Sequence, residues 1–189
     1  MLLLRHGQSE FNVIYGKTRQ DPGIRDPKLT EKGRTQANDA ANQLTHFAAD
    51  QIVSSPYRRT LETSSIIAAQ LKLPITVTPL IAERAVFRCD IGSPTTQLRR
   101  DFPHIDFLNL NEETWWHPGN EDLDSLDRRC ALFRKNCKER FNDKSIFVTH
   151  WGFILGLTNI RAQNCDVVAF DPKTAHPGGG TVVYSCNPC

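Results

Sequence analysis

Short apolar segments of strand length alternate with amphipathic helical segments along the chain, and this alternation constrains the fold more than any other feature. Runs rich in apolar and β-branched side chains, bounded by polar or turn-forming residues, predict strands. These runs are Leu2–Leu4, Gln51–Val53, Ile75–Val77, Ser145–Thr149 and Thr181–Ser185. Because alternating strands and helices form layered domains, we expect an α/β fold, a three-layer α/β/α sandwich with a mostly parallel central sheet and a small cap insertion.

The helices are predicted from apolar spacing and capping residues. Thr30 can cap a helix that begins after it, and a second helix begins near Pro56. Apolar residues spaced by three or four predict a long helix over 123–141, and a shorter helix follows His150. Residues 12–29 are polar and contain Asp-Pro-Gly and Asp-Pro breakers, so we expect a loop there.

Residues 84–120 differ from the rest of the chain. They contain several prolines, the pair Trp115-Trp116 and no long periodic pattern. A chain of 189 residues has the size of about one domain. We therefore expect a single domain over residues 1–189 with a cap insertion at 84–120.

Charge and hydropathy exclude several classes of function. Lys and Arg number 23 against 21 Asp and Glu, a formal net charge of +2, which argues against a strongly basic nucleic-acid-binding face. No apolar run is long enough for a membrane helix. The apolar N-terminal run Met1–Leu4 is too short for a signal peptide. We expect a cytoplasmic protein without a nucleic-acid or membrane partner, and the oligomeric state is not specified.

The six cysteines fit a reducing compartment. Cys130 and Cys137 lie within the long helical pattern and are predicted to be small core residues. Cys186 and Cys189 form a C-x-x-C pair at the C-terminal end, where a redox pair, half a metal site or an exposed tail are all open readings. No second C-x-x-C or C-x-x-H pair completes a zinc site, which favours the exposed tail.

Cationic and imidazole side chains follow three of the predicted strands. Arg5-His6 follows the first strand, Arg58-Arg59 lies just beyond the second, and His150 ends the strand at Ser145–Thr149. Because ligands of open α/β sheets bind beyond the carboxyl ends of the strands, these side chains should converge on one pocket. Arginine suits phosphate because its planar fork stays charged. The sequence therefore predicts a site for a phosphate-like dianion.

Histidine at such a site can act as a nucleophile. A neutral imidazole nitrogen can attack phosphorus, while arginines and a second, protonated histidine stabilise the transition state. A carboxylic acid can protonate the leaving alcohol and, as a carboxylate, activate the hydrolytic water. This chemistry requires no metal ion and no cofactor. A single histidine at a strand end is usually structural, and arginines at a helix start are usually solvated, so it is the combination that indicates a site.

Five segments resemble the motifs of one family in its own order. Arg5–Asn12, RHGQSEFN, closely resembles the R-H-G-[EQ]-[ST]-x-x-N signature of the histidine phosphatase superfamily, in the branch with cofactor-dependent phosphoglycerate mutases. Residues 26–37 are similar to its D-x-x-L-T-x-x-G-x-x-Q-A motif. The other similar segments are 54–63 (S-S-P-x-x-R), 118–121 (P-G-G-E) and 148–152 (V-[ST]-H-G-G). The resemblance spans almost the whole chain.

The resemblance implies roles for individual residues. His6 would be the phosphorylated nucleophile, and the phosphate pocket would be completed by Arg5, Arg59 and His150. The S-S-P-x-x-R alignment selects Arg59 and leaves Arg58 at the helix surface or rim. The implied substrate-binding residues are Gln8, Asn12 and Trp151, where Asn12 would donate to a phosphate oxygen. Trp151 replaces a usual glycine and would narrow the pocket.

Two carboxylates compete for the role of general acid. The family places a glutamate soon after the third strand, often within E-R-x-x-G, and Glu83 has that place. The usual continuation is absent, which makes Asp90 a second candidate. Alternatively, Glu83 is a surface carboxylate paired to Arg84 or Arg88.

Other departures from the family pattern also bear on the site. Thr60 replaces a usual alanine and should face the helix interior. Asn120 and Asp122 replace a usual glycine and serine. The loop around Glu121 is either a substrate contact or the N-terminus of a helix, where acidic side chains are favourable.

The activity expected from the sequence is hydrolysis of a phosphomonoester, either a phosphorylated small molecule or a phosphoprotein. Mutases of the family are longer and enclose their substrate, whereas a short cap admits water to the phosphohistidine. Cap residues would select the leaving group, or the two tryptophans would pack in the core; these cap residues are Phe87, Arg88, Trp115, Trp116 and His117. A phosphoglycerate-type mutase and a non-catalytic phosphoryl-binding domain are the alternatives.

Overall fold

A six-stranded mixed sheet forms the centre of the protein in a computed structural model that describes residues 1–186. Its strands are β1 (Leu2–Arg5), β2 (Gln51–Ser54), β3 (Ile75–Val77), β4 (Ser145–Thr149), β5 (Val167–Phe170) and β6 (Gly180–Tyr184). The strand order is β3-β2-β4-β1-β5-β6. The first four strands are parallel, β5 runs antiparallel to β1, and β6 runs antiparallel to β5. The predicted α/β fold with a mostly parallel sheet is confirmed. β5 is an additional strand that the sequence pattern did not predict.

Six α-helices surround the sheet within the part of the chain that the structure describes. They are α1 (Glu10–Thr18), α2 (Glu31–Leu44), α3 (Arg58–Leu71), α4 (Thr95–Asp101), α5 (Leu123–Glu139) and α6 (Trp151–Thr158). Over residues 1–186, none of these helices combines the length and the apolar character needed to cross a lipid bilayer.

Helix α1 corrects the predicted loop over residues 12–29. Ser9 and Asn12 form a capping box, in which Ser9 Oγ accepts from the Asn12 N–H and Asn12 Oδ1 accepts from the Ser9 N–H. The two reciprocal bonds satisfy backbone donors at the helix start. The breakers that suggested a loop begin at Asp21, after the helix has ended.

The sheet buries a separate core on each face. Leu2 and Leu4 belong to the core beneath α2 and α3, whereas Leu3 belongs to the core beneath α5 and α6. This alternation follows from the two-residue period of a strand. Cys130 and Cys137 are buried in the second core, as predicted.

The segment 84–120 is divided between the core and the site. Its middle part packs into the first core through Leu98, Phe102, Ile105, Phe107 and Leu110. The Asp106 N–H also donates to the Ile75 carbonyl, which places this part along the free edge of β3. The two ends of the segment, 84–91 and 116–120, face each other across a cleft.

Candidate active site

Two histidines meet at the carboxyl ends of neighbouring parallel strands. Arg5 in β1 is in register with Thr149 in β4, and the His6 N–H donates to the Thr149 carbonyl at 3.0 Å. The next residue on each strand is therefore a histidine at the same edge of the sheet. The ring centroids of His6 and His150 are 5.2 Å apart, and the two residues are 3% and 0% exposed.

The His6 ring is held in one orientation by the backbone. Its Nδ1 lies 2.7 Å from the Gly7 carbonyl oxygen. Because a carbonyl only accepts, Nδ1 carries the proton, and Nε2 keeps its lone pair in the neutral ring. Burial, followed by the positive charges of Arg59 and Arg5, lowers the pKa of His6 well below its usual value. His6 is thus a neutral imidazole with a nucleophilic Nε2.

His150 is also neutral in these surroundings. Burial lowers its pKa well below the usual value, and the charge of Arg59 acts in the same direction. The protonated His150 expected from the sequence is therefore disfavoured. Its Nε2 lies 2.8 Å from Ser55 Oγ, while Nδ1 is buried and has no hydrogen-bond partner among residues 1–186. If the Ser55 hydroxyl donates to Nε2, the proton sits on Nδ1, which is then a free donor.

Arg5 supplies a second buried donor. One Nη1–H bond of Arg5 goes to the Ala162 carbonyl at 2.9 Å, whereas Nε is buried without a partner in the described part of the chain. Burial lowers the pKa of Arg5 to about 10, so it remains a cation at neutral pH. A buried donor without a partner costs about 1–3 kcal/mol. A phosphate oxygen is an acceptor that could satisfy both Arg5 Nε and His150 Nδ1.

Arg59 and Arg58 point in different directions from the first turn of α3. Arg59 is 3% exposed and donates to the Cys89 carbonyl at 2.9 Å and to Asp90 Oδ1 at 3.2 Å. Its guanidinium lies 4.4 Å from the centroid of the Tyr57 ring. Arg58 pairs instead with Asp101 on α4. The geometry therefore places Arg59 beside the histidines and Arg58 at the rim.

Glu83 lies against the N-terminus of α6. Its Oε1 accepts from the N–H groups of Arg84 at 2.9 Å and Phe153 at 3.2 Å. Burial, and then the negative charge of Asp90, raise the pKa of Glu83 to about 7. The side chain is nevertheless partly exposed. A carboxyl group with this pKa can exchange a proton in either direction near neutral pH.

Asp90 has different contacts. It is 3% exposed, and its Oδ2 accepts from the N–H groups of Val86 and Phe87, both at 3.0 Å. Its other oxygen pairs with Arg59. This arrangement fixes Arg59 to the segment 86–90. These contacts suit an anchor for Arg59, and the role of Asp90 as the general acid stays a prediction.

The surface alternative for Glu83 does not match the contacts. The Arg84 side chain donates from Nε to the Glu121 carbonyl at 3.1 Å. The backbone N–H of Arg88 donates to the Asp21 carboxylate. Neither side chain forms an ion pair with Glu83 in the described structure. Glu83 is held by backbone donors.

A close approach explains why glycine follows Trp151. A Cβ on Gly152 would overlap Glu83 Oε1 and would also lie 3.2 Å from the Arg84 Cβ. Any larger residue would therefore displace the Glu83 carboxyl group.

Trp151, the residue between His150 and Gly152, is 40% exposed and lies on the outer surface.

Gln8 and Asn12 both support the loop around His6. Gln8 Oε1 accepts from the Thr30 hydroxyl at 2.9 Å. Asn12 Oδ1 accepts from Ser9 and from Asn164 Nδ2 at 3.2 Å. These bonds use the side-chain oxygens and leave the amide nitrogens as donors. Their contact with substrate, and that of Trp151, stays a prediction.

Four further residues shape the site and were not predicted. Asn164 Nδ2 donates to the His6 carbonyl at 3.0 Å. Tyr57 lies edge-on to His150 at 5.0 Å and donates from its hydroxyl to the Asp90 carbonyl at 2.7 Å. Asp26 accepts from the Arg58 N–H at 2.8 Å and so caps the start of α3. Of the four, Asp26 is a defined position of a recognised motif, and Tyr57 occupies a variable position of another.

Arg129 is the fourth residue that shapes the site, and it holds the segment that carries Glu83. It donates to the carbonyl groups of Leu80 and Ala82 at 3.1 and 2.7 Å. It also forms a two-point ion pair with Glu121, at 3.0 and 2.6 Å. Glu121 is thus a buried anchor, while Asp122 caps α5 by accepting from the Ser125 N–H. The helix-start reading of this loop is confirmed.

The two tryptophans of the segment 84–120 have different surroundings. Trp115 packs edge-on against Tyr57 at 4.7 Å, and its Nε1 donates to the Ser93 carbonyl. Trp116 lines a cleft of about 300 Å³ together with Phe87 and Asp90. Because Asp90 also pairs with Arg59, the cleft adjoins the arginine that is predicted to bind phosphate.

Comparison with known proteins decides the family. The family model for the histidine phosphatase superfamily (branch 1) matches residues 1–173. The chain belongs to the histidine phosphatase superfamily. Phosphoserine phosphatase 1 of Hydrogenobacter thermophilus is 29% identical over 178 residues, which cover 90% of this chain and 77% of that protein.

Other members of the superfamily extend the comparison. A probable phosphoglycerate mutase of Escherichia fergusonii is 31% identical over 193 residues, covering 89% of this chain and 83% of that protein. The ecdysone phosphate phosphatase of Bombix mori has the same fold, with a TM-score of 0.66, 16% identity and coverage of 100% and 96% of the two chains. The chain spans 65–83% of the length of eight curated relatives that it matches. This superfamily member therefore has both phosphatases and probable mutases among its relatives.

Proposed function

We propose that this histidine phosphatase superfamily member is a metal-independent phosphomonoester hydrolase that acts through a phosphohistidine on His6. The observation that carries the proposal is the environment of His6 Nε2. It belongs to a buried, neutral ring, and the site around it holds two buried nitrogens without partners in the described chain: Arg5 Nε, which is a donor, and His150 Nδ1, which is a donor when the Ser55 hydroxyl donates to Nε2. A nucleophile beside unsatisfied donors suits the transfer of a dianionic phosphoryl group.

The first step transfers the phosphoryl group to the enzyme. His6 Nε2 attacks phosphorus and the bond from phosphorus to the ester oxygen breaks. Glu83 gives its proton to the departing oxygen, so that an alcohol leaves instead of an alkoxide. The Gly7 carbonyl accepts from Nδ1–H and stabilises the positive charge that develops on the ring. Arg5, Arg59 and His150 donate to the phosphoryl oxygens.

The second step returns the enzyme to its starting state. Glu83, now a carboxylate, takes a proton from a water molecule whose oxygen attacks phosphorus. The bond from His6 Nε2 to phosphorus breaks, inorganic phosphate leaves and Glu83 is again protonated. Its pKa of about 7 suits both directions, because each form is well populated at neutral pH.

The exposure of residues at the cleft favours hydrolysis over a mutase reaction. Val86, which lines the cleft, is 41% exposed, and Glu83 is itself partly accessible. Water can therefore reach the acid and base group, whereas a mutase must retain its intermediate away from water. The probable mutase among the relatives keeps phosphoglycerate isomerisation as the second candidate.

The cleft supports a small phosphate ester as the substrate. Its volume of about 300 Å³ lies at the lower end of the range for small-molecule pockets. Apolar lining by Phe87, Ile91 and Trp116 favours a leaving group with an apolar part, and Arg88 adds one cation. A phosphoprotein would have to present its phosphorylated side chain through the same cleft.

The test is a phosphatase screen with the full chain on a panel of phosphorylated metabolites and phosphopeptides. His6→Ala should abolish phosphate release, and quenched wild-type reactions should contain an acid-labile, base-stable phosphoryl group on His6. His46→Ala is the matched control, because His46 is an exposed histidine near the end of α2. Unchanged phosphate release by His6→Ala, or no trapped phosphoryl group, would overturn the mechanism.

The same preparation separates the two candidate activities. Conversion of 3-phosphoglycerate to 2-phosphoglycerate is measured with bisphosphoglycerate as the priming phosphoryl donor. Hydrolysis of phosphate esters without isomerisation supports the phosphatase. Isomerisation that outpaces hydrolysis assigns the chain to the mutases. Phosphate binding without either reaction would identify a non-catalytic domain.

A further inference from the structure

Two thiols lie in contact behind the loop that carries His6. Cys165 is fully buried between Asn164 and Asp166, and Cys186 follows β6 and is partly exposed. The Cys165 and Cys186 side chains interact with each other, and both pack on the first core. Cys189, the other half of the C-x-x-C pair, lies outside the described residues. The contact partner of Cys186 in the structure is therefore a cysteine distant in sequence.

The surroundings of Cys186 favour its thiolate. Its sulfur lies 3.2 Å from the Tyr184 hydroxyl oxygen and 3.5 Å from the Gln36 carbonyl oxygen. Interactions with Cys165 and then with Tyr184 lower the pKa of Cys186 to about 7. Burial instead raises the pKa of Cys130 and that of Cys137 to about 12. Since the thiolate is the reactive form of cysteine, Cys186 should react before these buried thiols.

Both thiols are joined to residues that support His6. The Cys165 N–H donates to the Arg5 carbonyl at 3.0 Å, and the adjacent Asn164 holds the His6 carbonyl. On the other side, the Gln36 residue that touches Cys186 accepts through Oε1 from the Gln8 N–H at 2.9 Å. A covalent bond between the sulfurs would therefore disturb the contacts that hold the His6 loop, through Cys165 on one side and through Gln36 on the other.

We propose that Cys165 and Cys186 form a reversible disulfide when the protein meets a peroxide, and that this bond slows phosphoryl transfer at His6. The Cys186 thiolate attacks one peroxide oxygen, the O–O bond breaks and a sulfenic acid forms. The Cys165 sulfur then attacks the Cys186 sulfur, the S–O bond breaks and water leaves. With hydrogen peroxide, two thiols are oxidised to one disulfide and the peroxide is reduced to two molecules of water.

The disulfide itself is independent of the proposed function, whereas its effect on turnover rests on that function. The full chain is treated with hydrogen peroxide, its remaining thiols are alkylated, and the digest is analysed by mass spectrometry without reduction. The expected product is a cross-linked peptide pair containing Cys165 and Cys186, which dithiothreitol separates. Cys186→Ser should abolish this product, and Cys189→Ser should leave it unchanged. A link from Cys186 to Cys189, or no link at all, overturns the proposal.

Turnover of p-nitrophenyl phosphate by the same samples tests the effect on the site. Oxidised wild type and oxidised Cys189→Ser should lose at least about tenfold in kcat/KM, because a 1 Å displacement of a reacting group can cost about 10²-fold, and dithiothreitol should restore it. Cys186→Ser should keep its activity in peroxide. A link without a change in turnover overturns the regulatory effect. Absence of turnover before oxidation contradicts the proposed function instead, and the cross-link result still stands by itself.

Discussion

Replacing Glu83 with glutamine keeps the shape of the side chain and removes its ability to transfer a proton. With a pKa of about 7, Glu83 is protonated in about half of the molecules at pH 7. At its usual pKa of 4.5, roughly one molecule in 300 would carry the proton. The burial that raises the pKa therefore increases the supply of acid about 150-fold.

The expected loss depends on the leaving group. General acid catalysis contributes about 10²–10⁴-fold, so Glu83→Gln should slow phosphoryl transfer from an alkyl phosphate by that factor. p-Nitrophenolate is a stable anion that leaves without a proton, so the same variant should lose less than about tenfold with p-nitrophenyl phosphate. The assay is a quenched single turnover that measures phosphorylation of His6 apart from the later hydrolysis.

The pH dependence gives a second signature. The acid must be protonated, so the wild-type rate with the alkyl ester should fall as the pH rises through about 7. The Glu83→Gln rate should show no such fall. Asp90 raises the pKa of Glu83, so Asp90→Asn should move the fall to lower pH.

Two variants make the result decisive. Glu62→Gln is the matched control, because Glu62 is a buried carboxylate held by the Leu29 N–H and by Arg34. It should affect the two esters alike. At acidic pH, where Glu83 stays protonated in spite of its lowered pKa, Asp90→Asn should also affect the two esters alike, since Asp90 holds Arg59. Equal losses for both esters in Glu83→Gln, with an ester-dependent loss in Asp90→Asn, would refute Glu83 as the acid and assign Asp90.

Three further predictions follow from the packing around Glu83. Gly152→Ala should reproduce the ester-dependent loss of Glu83→Gln, because the new Cβ overlaps the Glu83 carboxyl group. Equal rates for Gly152→Ala and the wild type with the alkyl ester would contradict this contact. Arg129→Met should lower the free energy of unfolding by about 3 kcal/mol in urea titrations, since it leaves buried Glu121 unpaired. In the folded state Glu83 has a raised pKa, so its contribution to stability is full below pH 4.5 and disappears as the pH rises through about 7. Glu83→Gln should therefore gain up to about 3 kcal/mol over the wild type between pH 5 and pH 8, as measured by unfolding at both pH values.

Local patterns predicted most of the fold because they depend on residues that are close together in the sequence. The β1 segment alternates between two cores, and the α2 helix follows a capping threonine, Thr30. α1 was missed because its capping pair, Ser9 and Asn12, lies inside a motif that was interpreted for its chemistry. β5 was missed because a short apolar run does not reveal its antiparallel pairing with β1.

The sequence by itself determined the family, the order of most strands and helices, and the group of side chains that meet at the strand ends. Those features depend on local spacing and on motifs, which can be recognised in a single sequence. Only the tertiary structure decided the state of these side chains, because burial and partners come from residues far away in sequence. Asn164 holds the His6 carbonyl across 158 positions, and Asp90 pairs with Arg59 across 31. The raised pKa of Glu83 likewise arises from burial and from a neighbouring charge, neither of which a single segment specifies.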